Sequence, residues 1–134
     1  MKIVVDSWAW VEILKLSPAG KEAKDHLERA DEAFTPSLVL AELARKYIRE
    51  GVEVGVLEAW LQGISEVTEV YPMDAKLAIK AAEASEELLA KAGKEDLGRP
   101  GLGDAVVLAT ARAVGAKLLS GDPHFRGMQE TIWL

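Results

Sequence analysis

Four acidic residues are the side chains in this sequence best suited to chemistry: Asp6, Glu42, Asp104 and Asp122. Each lies beside an apolar segment that is expected to belong to the core. A carboxylate at the edge of a core is costly unless a cation meets it. Two carboxylates about 4 Å apart repel by roughly 4 kcal/mol at an effective dielectric of 20. If the fold gathers all four, we expect a hard divalent metal ion and metal-dependent hydrolysis.

The available ligand atoms narrow the choice of metal. The chain has no cysteine and two histidines, His26 and His124. This composition excludes thiol nucleophiles, disulfides, iron–sulfur clusters and the usual structural zinc sites. Carboxylate oxygens suit Mg²⁺ or Mn²⁺. A histidine that follows Asp-Pro in a turn is more often a surface residue, so His124 is given no catalytic role.

Each acid also has a purely structural interpretation. Asp6 can cap the helix that follows it, and Asp104 can complement the positive end of its own helix. Asp122, in Gly-Asp-Pro, can form a turn. Glu42 can pair with Lys46 four residues later or with Arg45 three residues later. Taken singly, each acid favours this interpretation. Taken together, the four favour a metal site.

Hydroxyl and basic residues flank the acids. Ser7 and Ser120 can hydrogen-bond a carboxylate or a metal-bound water. Three basic residues lie near Glu42 at helical spacing and are candidates for binding a phosphate backbone: Arg45, Lys46 and Arg49. The alternative for these three is a solvated helix face with ordinary ion pairs.

The 134 residues, 49% of them hydrophobic, fit a single domain over residues 1–134. Short apolar runs alternate with helical patterns, which predicts parallel strands joined by right-handed crossovers. The expected fold is a three-layer α/β/α sandwich on a short parallel sheet. Ligands bind outside the carboxyl ends of such strands, where Asp6 and Asp122 fall. Strands are predicted at 2–5, 33–35, 67–71, 117–120 and 131–133, and helices at 7–16, 21–30, 38–50, 53–64, 74–92 and 104–114.

Several local features refine this prediction. Ser37 and Asp74 are plausible caps for the helices that follow them. Pro72 places the strand at 67–71 near a sheet edge. The helix at 104–114 has almost no polar face and should be buried. The stretch at 93–103, charged and containing Gly and Pro, is the best candidate for a mobile loop.

The net charge of −6 and the isoelectric point near 5.0 argue against a large electrostatic footprint for nucleic acid. Any such role must be local, and a bound cation can invert the field where phosphates approach. No apolar stretch is long enough to span a bilayer, so no membrane association and a cytoplasmic location are expected.

Four short motifs, in this order, span nearly the whole chain and resemble PIN-domain ribonucleases of the VapC toxin type. They are Val4-Val5-Asp6-Ser7, Pro36-Ser37-Leu38 leading to Ala41-Glu42-Leu43, Gly103-Asp104-Ala105, and Leu119-Ser120-Gly121-Asp122-Pro123-His124-Phe125. The resemblance implies a PIN-like α/β/α sandwich in which the four acids bind Mg²⁺ or Mn²⁺ and cleave RNA phosphodiester bonds with metal-activated water. It also implies a homodimer, and a small antitoxin whose C-terminal segment occupies the active-site groove.

Two details qualify the match. Ser120 stands where threonine is more usual in the family, a change that keeps the hydroxyl. Glu95 and Asp96 are rival acids just before Asp104. The ligand assignment of Asp104 is therefore the first to check.

Two other functions compete with the nuclease. A phosphoacceptor receiver domain would need adjacent acids after its first strand and a lysine after its last core strand. Here Ser7 follows Asp6, and Lys117 precedes its strand. A non-catalytic PIN-like interaction module stays open as an alternative.

Overall fold

A five-stranded parallel sheet organises the computed structural model, which describes residues 1–134. The strand order is β3-β2-β1-β4-β5, and helices cover both faces, as predicted for a three-layer sandwich. The strands are β1 (Lys2–Val5), β2 (Glu32–Pro36), β3 (Glu69–Tyr71), β4 (Lys117–Ser120) and β5 (Thr131–Trp133). The helices are α1 (Ser7–Lys15), α2 (Pro18–Arg29), α3 (Ser37–Arg49), α4 (Val54–Val67), α5 (Ala75–Lys94) and α6 (Leu102–Val114), with a 3-10 helix at Pro123–Phe125.

The central strand β1 sets the position of the site. It pairs in parallel with β2 on one side and with β4 on the other, and Val5 lies opposite Leu119. Ile3, Val4 and Val5 are all buried, which is why this strand is a continuous apolar run. The carboxyl ends of β1 and β4 therefore lie side by side at one edge of the sheet.

Three sequence-based expectations, which concern β3, Asp74 and α6, are confirmed. β3 is an edge strand, as Pro72 indicated. Asp74 caps α5 by accepting a hydrogen bond from the backbone N–H of Leu77 at 2.8 Å. Every residue of α6 from Ala105 to Ala111 is buried, as its apolar character predicted. No helix is both long and apolar enough to cross a membrane.

Other boundaries differ from the prediction. α2 begins at Pro18 rather than at residue 21, because Ser17 caps it and proline is tolerated in a first turn. Ser37 is not the cap of α3: it is the first helical residue, and Pro36 precedes it without a side-chain cap bond. α6 begins at Leu102, so the connection from α5 is confined to residues 95–101.

Candidate metal centre

Asp6 lies at the carboxyl end of β1 and is 4% exposed. One carboxylate oxygen accepts the N–H of Ala9 at 2.8 Å, so Asp6 is also the cap of α1. The other accepts a hydrogen bond from the Ser120 hydroxyl. The pKa of Asp6 is raised to about 7: burial is the largest cause, the two hydrogen bonds oppose it, and the charges of Asp122 and Asp104 add to it. Asp6 thus caps α1 and also belongs to the group of acids at this end of the sheet.

Asp122 follows β4 and is held by its neighbours in the chain. The Ser120 hydroxyl oxygen accepts the backbone N–H of Asp122 at 3.0 Å. One carboxylate oxygen of Asp122 accepts the backbone N–H of His124 at 2.9 Å, which is the predicted turn interaction. Ser120 therefore contacts the two acids at the ends of β1 and β4.

Asp104 enters from the first turn of α6. Its Oδ2 accepts the backbone N–H of Gly101 at 2.9 Å. Burial and then the charge of Asp122 raise the pKa of Asp104, and the Gly101 N–H and His124 lower it. Of the rival acids, Glu95 pairs with Lys91 at 2.5 Å. Burial and coupling to Asp122 favour Asp104 over both rivals.

Glu42 reaches the same place from α3. Burial raises its pKa, the charge of Asp104 raises it further, and Arg45 lowers it. A Cβ atom built on Gly103 would lie 2.4 Å from Glu42 Oε2, so the α6 backbone approaches this carboxylate closely. The pairing of Glu42 with Lys46 does not form, because Lys46 binds Glu50 at 2.6 Å instead.

His124 differs from the sequence prediction. We expected a surface residue, yet its side chain is only 20% exposed. Its Nδ1 lies 2.8 Å from Asp122 Oδ1, and its Nε2 lies 2.7 Å from the Gly98 carbonyl oxygen. Burial lowers the pKa of His124, but its bonds to Gly98 and Asp122 outweigh burial, so the net shift is upward. The feature of the sequence that could have indicated the contact with Asp122 is the position of His124 two residues after it.

The donor set fits a hard divalent cation. Potential ligand atoms of Asp104, Asp122 and His124 all lie within 4.8 Å of one another. Asp6 and Glu42 are coupled to this group through the charge of Asp104. Mutually repelling, partly buried carboxylates are stabilised by a bound cation, and oxygen donors favour Mg²⁺ or Mn²⁺.

A cleft of about 350 Å³ opens between α1 and α3 beside Glu42 and Asp122. Two of the predicted phosphate-binding residues, Arg45 and Lys46, line it; the third, Arg49, does not. Sequence reasoning missed Lys15, which also lines the cleft. The other lining residues are Ser7, Trp8, Val11, Glu12 and Leu43.

The two predicted hydroxyl residues behave differently. Ser120 bonds both Asp6 and the backbone of Asp122. Ser7 lines the cleft, and its hydroxyl makes no hydrogen bond to a carboxylate of the cluster. Of the two, only Ser120 orients an acid in this structure.

A parallel sheet with carboxylates gathered beyond its carboxyl ends defines a class of α/β proteins that carry an acidic, oxygen-donor site. The chain belongs to the PIN domain family, whose model matches residues 3–130. Membership of this family excludes the alternative that the chain is a phosphoacceptor receiver domain. No curated protein matches the chain in sequence.

Several solved structures share the fold. VapBC-1 from nontypeable Haemophilus influenzae gives a TM-score of 0.71 at 14% identity, covering 100% of this chain and 97% of that one. A toxin–antitoxin complex from Klebsiella pneumoniae gives 0.70 at 17% identity, covering 97% and 95%. VapBC2 from Rickettsia felis, bound to a DNA fragment from its promoter, gives 0.66 at 19% identity, covering 100% and 98%. The chain thus matches these proteins over nearly its full length.

Proposed function

We propose that this protein is a Mg²⁺- or Mn²⁺-dependent endoribonuclease of the VapC type, the toxin of a toxin–antitoxin pair. The observation that carries the proposal is the electrostatic coupling of Asp6, Glu42, Asp104 and Asp122 at one edge of the sheet. Carboxylates raise each other's pKa in this way only when they lie close together. The family match supports the same activity.

The four carboxylates would hold the metal. When bound, Mg²⁺ or Mn²⁺ supplies positive charge that acidifies water and stabilises charge on a phosphate. The chain's own part is to orient its acids, through the Ser120 hydroxyl on Asp6 and the Gly101 N–H on Asp104. The architecture supplies no thiol, and the proposed hydrolysis needs no covalent protein intermediate.

The cleft between α1 and α3 is the proposed path of the RNA. Two of its cations are already paired within the chain, since Lys15 lies 2.9 Å from Glu12 and Lys46 lies 2.6 Å from Glu50. Arg45 makes no ion pair and lowers the pKa of Glu42. We therefore assign the main phosphate contact to Arg45 and a smaller role to Lys46. Arg49 receives no role, because it does not line the cleft.

The proposed partners are a small antitoxin and a second copy of the chain. The structures from Haemophilus influenzae and Klebsiella pneumoniae are of toxin–antitoxin proteins. An antitoxin segment that fills the cleft beside Glu42 and Asp122 would exclude RNA from the acids. Exposed apolar side chains such as Ile48 and Val54 are consistent with a protein partner. We place the protein in the cytoplasm, where its RNA substrate lies.

Incubation of the purified protein with RNA and with single-stranded DNA tests the function. We expect cleavage of RNA with Mg²⁺ or Mn²⁺, none with chelator, and none by Asp104→Asn. The matched control Asp96→Asn should cleave like the wild type, because Asp96 is exposed and outside the cluster. Partner binding with no metal-stimulated cleavage would instead establish the non-catalytic interaction module.

A further inference from the structure

His124 bridges two parts of the chain that sequence alone does not bring together. Its Nε2 lies 2.7 Å from the carbonyl oxygen of Gly98, 26 residues earlier. Its Nδ1 lies 2.8 Å from Asp122 Oδ1. Both distances are those of hydrogen bonds. Each nitrogen of the imidazole ring is therefore engaged by the protein.

This geometry bears on whether His124 is a metal ligand. An imidazole binds a metal through the lone pair of an unprotonated nitrogen. The Gly98 carbonyl can only accept, so Nε2 donates to it and carries a proton. Nδ1 points at a carboxylate oxygen of Asp122. With Nε2 engaged by Gly98 and Nδ1 by Asp122, His124 would have to give up one of these contacts to bind an ion, although it lies close to Asp104 and Asp122.

The segment at 95–101 connects His124 to a second acid. Gly98, which His124 binds, lies three residues before Gly101, whose N–H donates to Asp104 Oδ2 at 2.9 Å. Most of the segment is exposed, and its other backbone bonds lie at its two ends. Glu95 N–H donates to the Lys91 carbonyl at 3.0 Å, Leu97 N–H to the Ala92 carbonyl at 2.9 Å, and Asp104 N–H to the Gly101 carbonyl at 3.1 Å. Fixing Gly98 therefore restrains the stretch of chain that leads into the donor that orients Asp104.

We infer that His124 is a positioning residue that clamps the segment at 95–101 onto Asp122, so that the carboxylates of Asp122 and Asp104 are both oriented, and that it is not itself a ligand of the metal. The inference deepens the proposed function and rests on it for the role of these two acids. Groups that orient metal ligands typically change metal affinity by about 10–100-fold when they are replaced.

Hydrogen–deuterium exchange of the metal-free protein tests the clamp without reference to activity. In His124→Leu, amides at 97–104 should exchange faster, while those of the buried part of α5 stay unchanged. His124→Gln keeps an amide donor and should restore part of the protection. The control is His26→Leu on α2, which should leave 97–104 unchanged, because the His26 side chain makes no hydrogen bond. Equal exchange at 97–104 in wild type and both His124 variants would overturn the clamp.

Mn²⁺ binding tests whether His124 orients the acids without being a ligand of the metal. Pulsed electron paramagnetic resonance of the wild-type Mn²⁺ complex should show no directly coordinated imidazole nitrogen; such a coupling would overturn the assignment. Mn²⁺ affinity should fall about 10–100-fold in His124→Leu and stay unchanged in His26→Leu. If the wild type cleaves no RNA while exchange at 97–104 responds to His124→Leu, the clamp holds and the nuclease function fails.

Discussion

The Ser120 hydroxyl donates a hydrogen bond to the carboxylate of Asp6, joining the carboxyl ends of β4 and β1. The parallel register explains the contact, since Val5 and Leu119, the residues just before them, lie opposite each other. Ser120 is fully buried and also accepts the N–H of Asp122. One small hydroxyl thus organises two acids that are 116 positions apart in the chain.

Ser120→Ala should destabilise the protein. The change leaves a carboxylate oxygen of Asp6 and the N–H of Asp122 without their partner, and an unsatisfied buried polar group costs about 1–3 kcal/mol. Urea unfolding measures the loss. Ser120→Thr keeps the hydroxyl and should retain most of the stability. A Ser120→Ala protein as stable as the wild type would show that this contact contributes nothing.

The stability of the metal-free protein should fall as the pH rises from about 4 to 7. The pKa of Asp6 is raised from 3.8 to about 7 in the folded state, so the folded protein holds a proton that the unfolded chain releases over this range. The upward shifts at Glu42, Asp104 and His124 act in the same direction. Unfolding free energies from urea titrations at several pH values check this expectation.

Asp6→Asn and added Mn²⁺ are the controls for the pH dependence. Asp6→Asn removes the largest of these ionisations and should flatten the fall. Saturating Mn²⁺ binds the ionised acids and should reverse it, so that stability rises with pH. A pH profile that is the same in wild type and Asp6→Asn would contradict the assigned ionisation.

Gly103→Ala should impair the site while sparing the fold. The added Cβ would lie 2.4 Å from Glu42 Oε2, the end of a flexible side chain that can move away. The free energy of unfolding should change by less than about 1 kcal/mol. The cost of moving the Glu42 side chain is offset by the higher helix propensity of alanine, which is worth up to about 1 kcal/mol over glycine. Mn²⁺ affinity should nevertheless fall.

Gly93→Ala is the matched control for that variant. Gly93 also lies in a helix, but apart from its chain neighbours and the backbone of its own helix no atom lies within 4 Å of the position of an added Cβ. This variant should gain about 0.5–1 kcal/mol of stability and bind Mn²⁺ as the wild type does. Equal Mn²⁺ affinity in Gly103→Ala and Gly93→Ala would mean that Glu42 does not contact the metal.

Arg45→Ala should weaken RNA binding more than Lys46→Ala, because Lys46 is already paired with Glu50. Loss of one phosphate contact reduces the slope of log affinity against log salt by about 0.7 for a single strand. Fluorescence anisotropy of the Asp104→Asn background over a salt series measures this slope. In the same background, Arg49→Ala should bind RNA as tightly as the Asp104→Asn protein does. A larger loss of RNA affinity in Arg49→Ala than in Arg45→Ala would show that the RNA does not follow the cleft.

The sequence predicted the parts of this protein that depend on local patterns. The apolar run at β1, the cap at Asp74 and the buried α6 follow from periodicity and residue type alone. The grouping of Asp6 with Asp122 followed because parallel strands end at one edge of a sheet. These features need no knowledge of distant contacts.

The features that sequence reasoning missed depend on the path of the chain. The bond from His124 to Gly98 crosses 26 positions and depends on where the segment at 95–101 lies. On α3, Lys46 has an acid four residues away on either side; it pairs with Glu50, while Glu42 packs against Gly103. Such choices follow from tertiary structure, which local propensity does not encode.

Equilibrium titration with Mn²⁺ tests the central claim, that four carboxylates form one metal site, most directly. Calorimetry on the wild type should show saturable binding that is at least about 10-fold weaker in Asp6→Asn, Glu42→Gln, Asp104→Asn and Asp122→Asn. Asp96→Asn should bind like the wild type. Equal Mn²⁺ affinity across all of these proteins would contradict the claim.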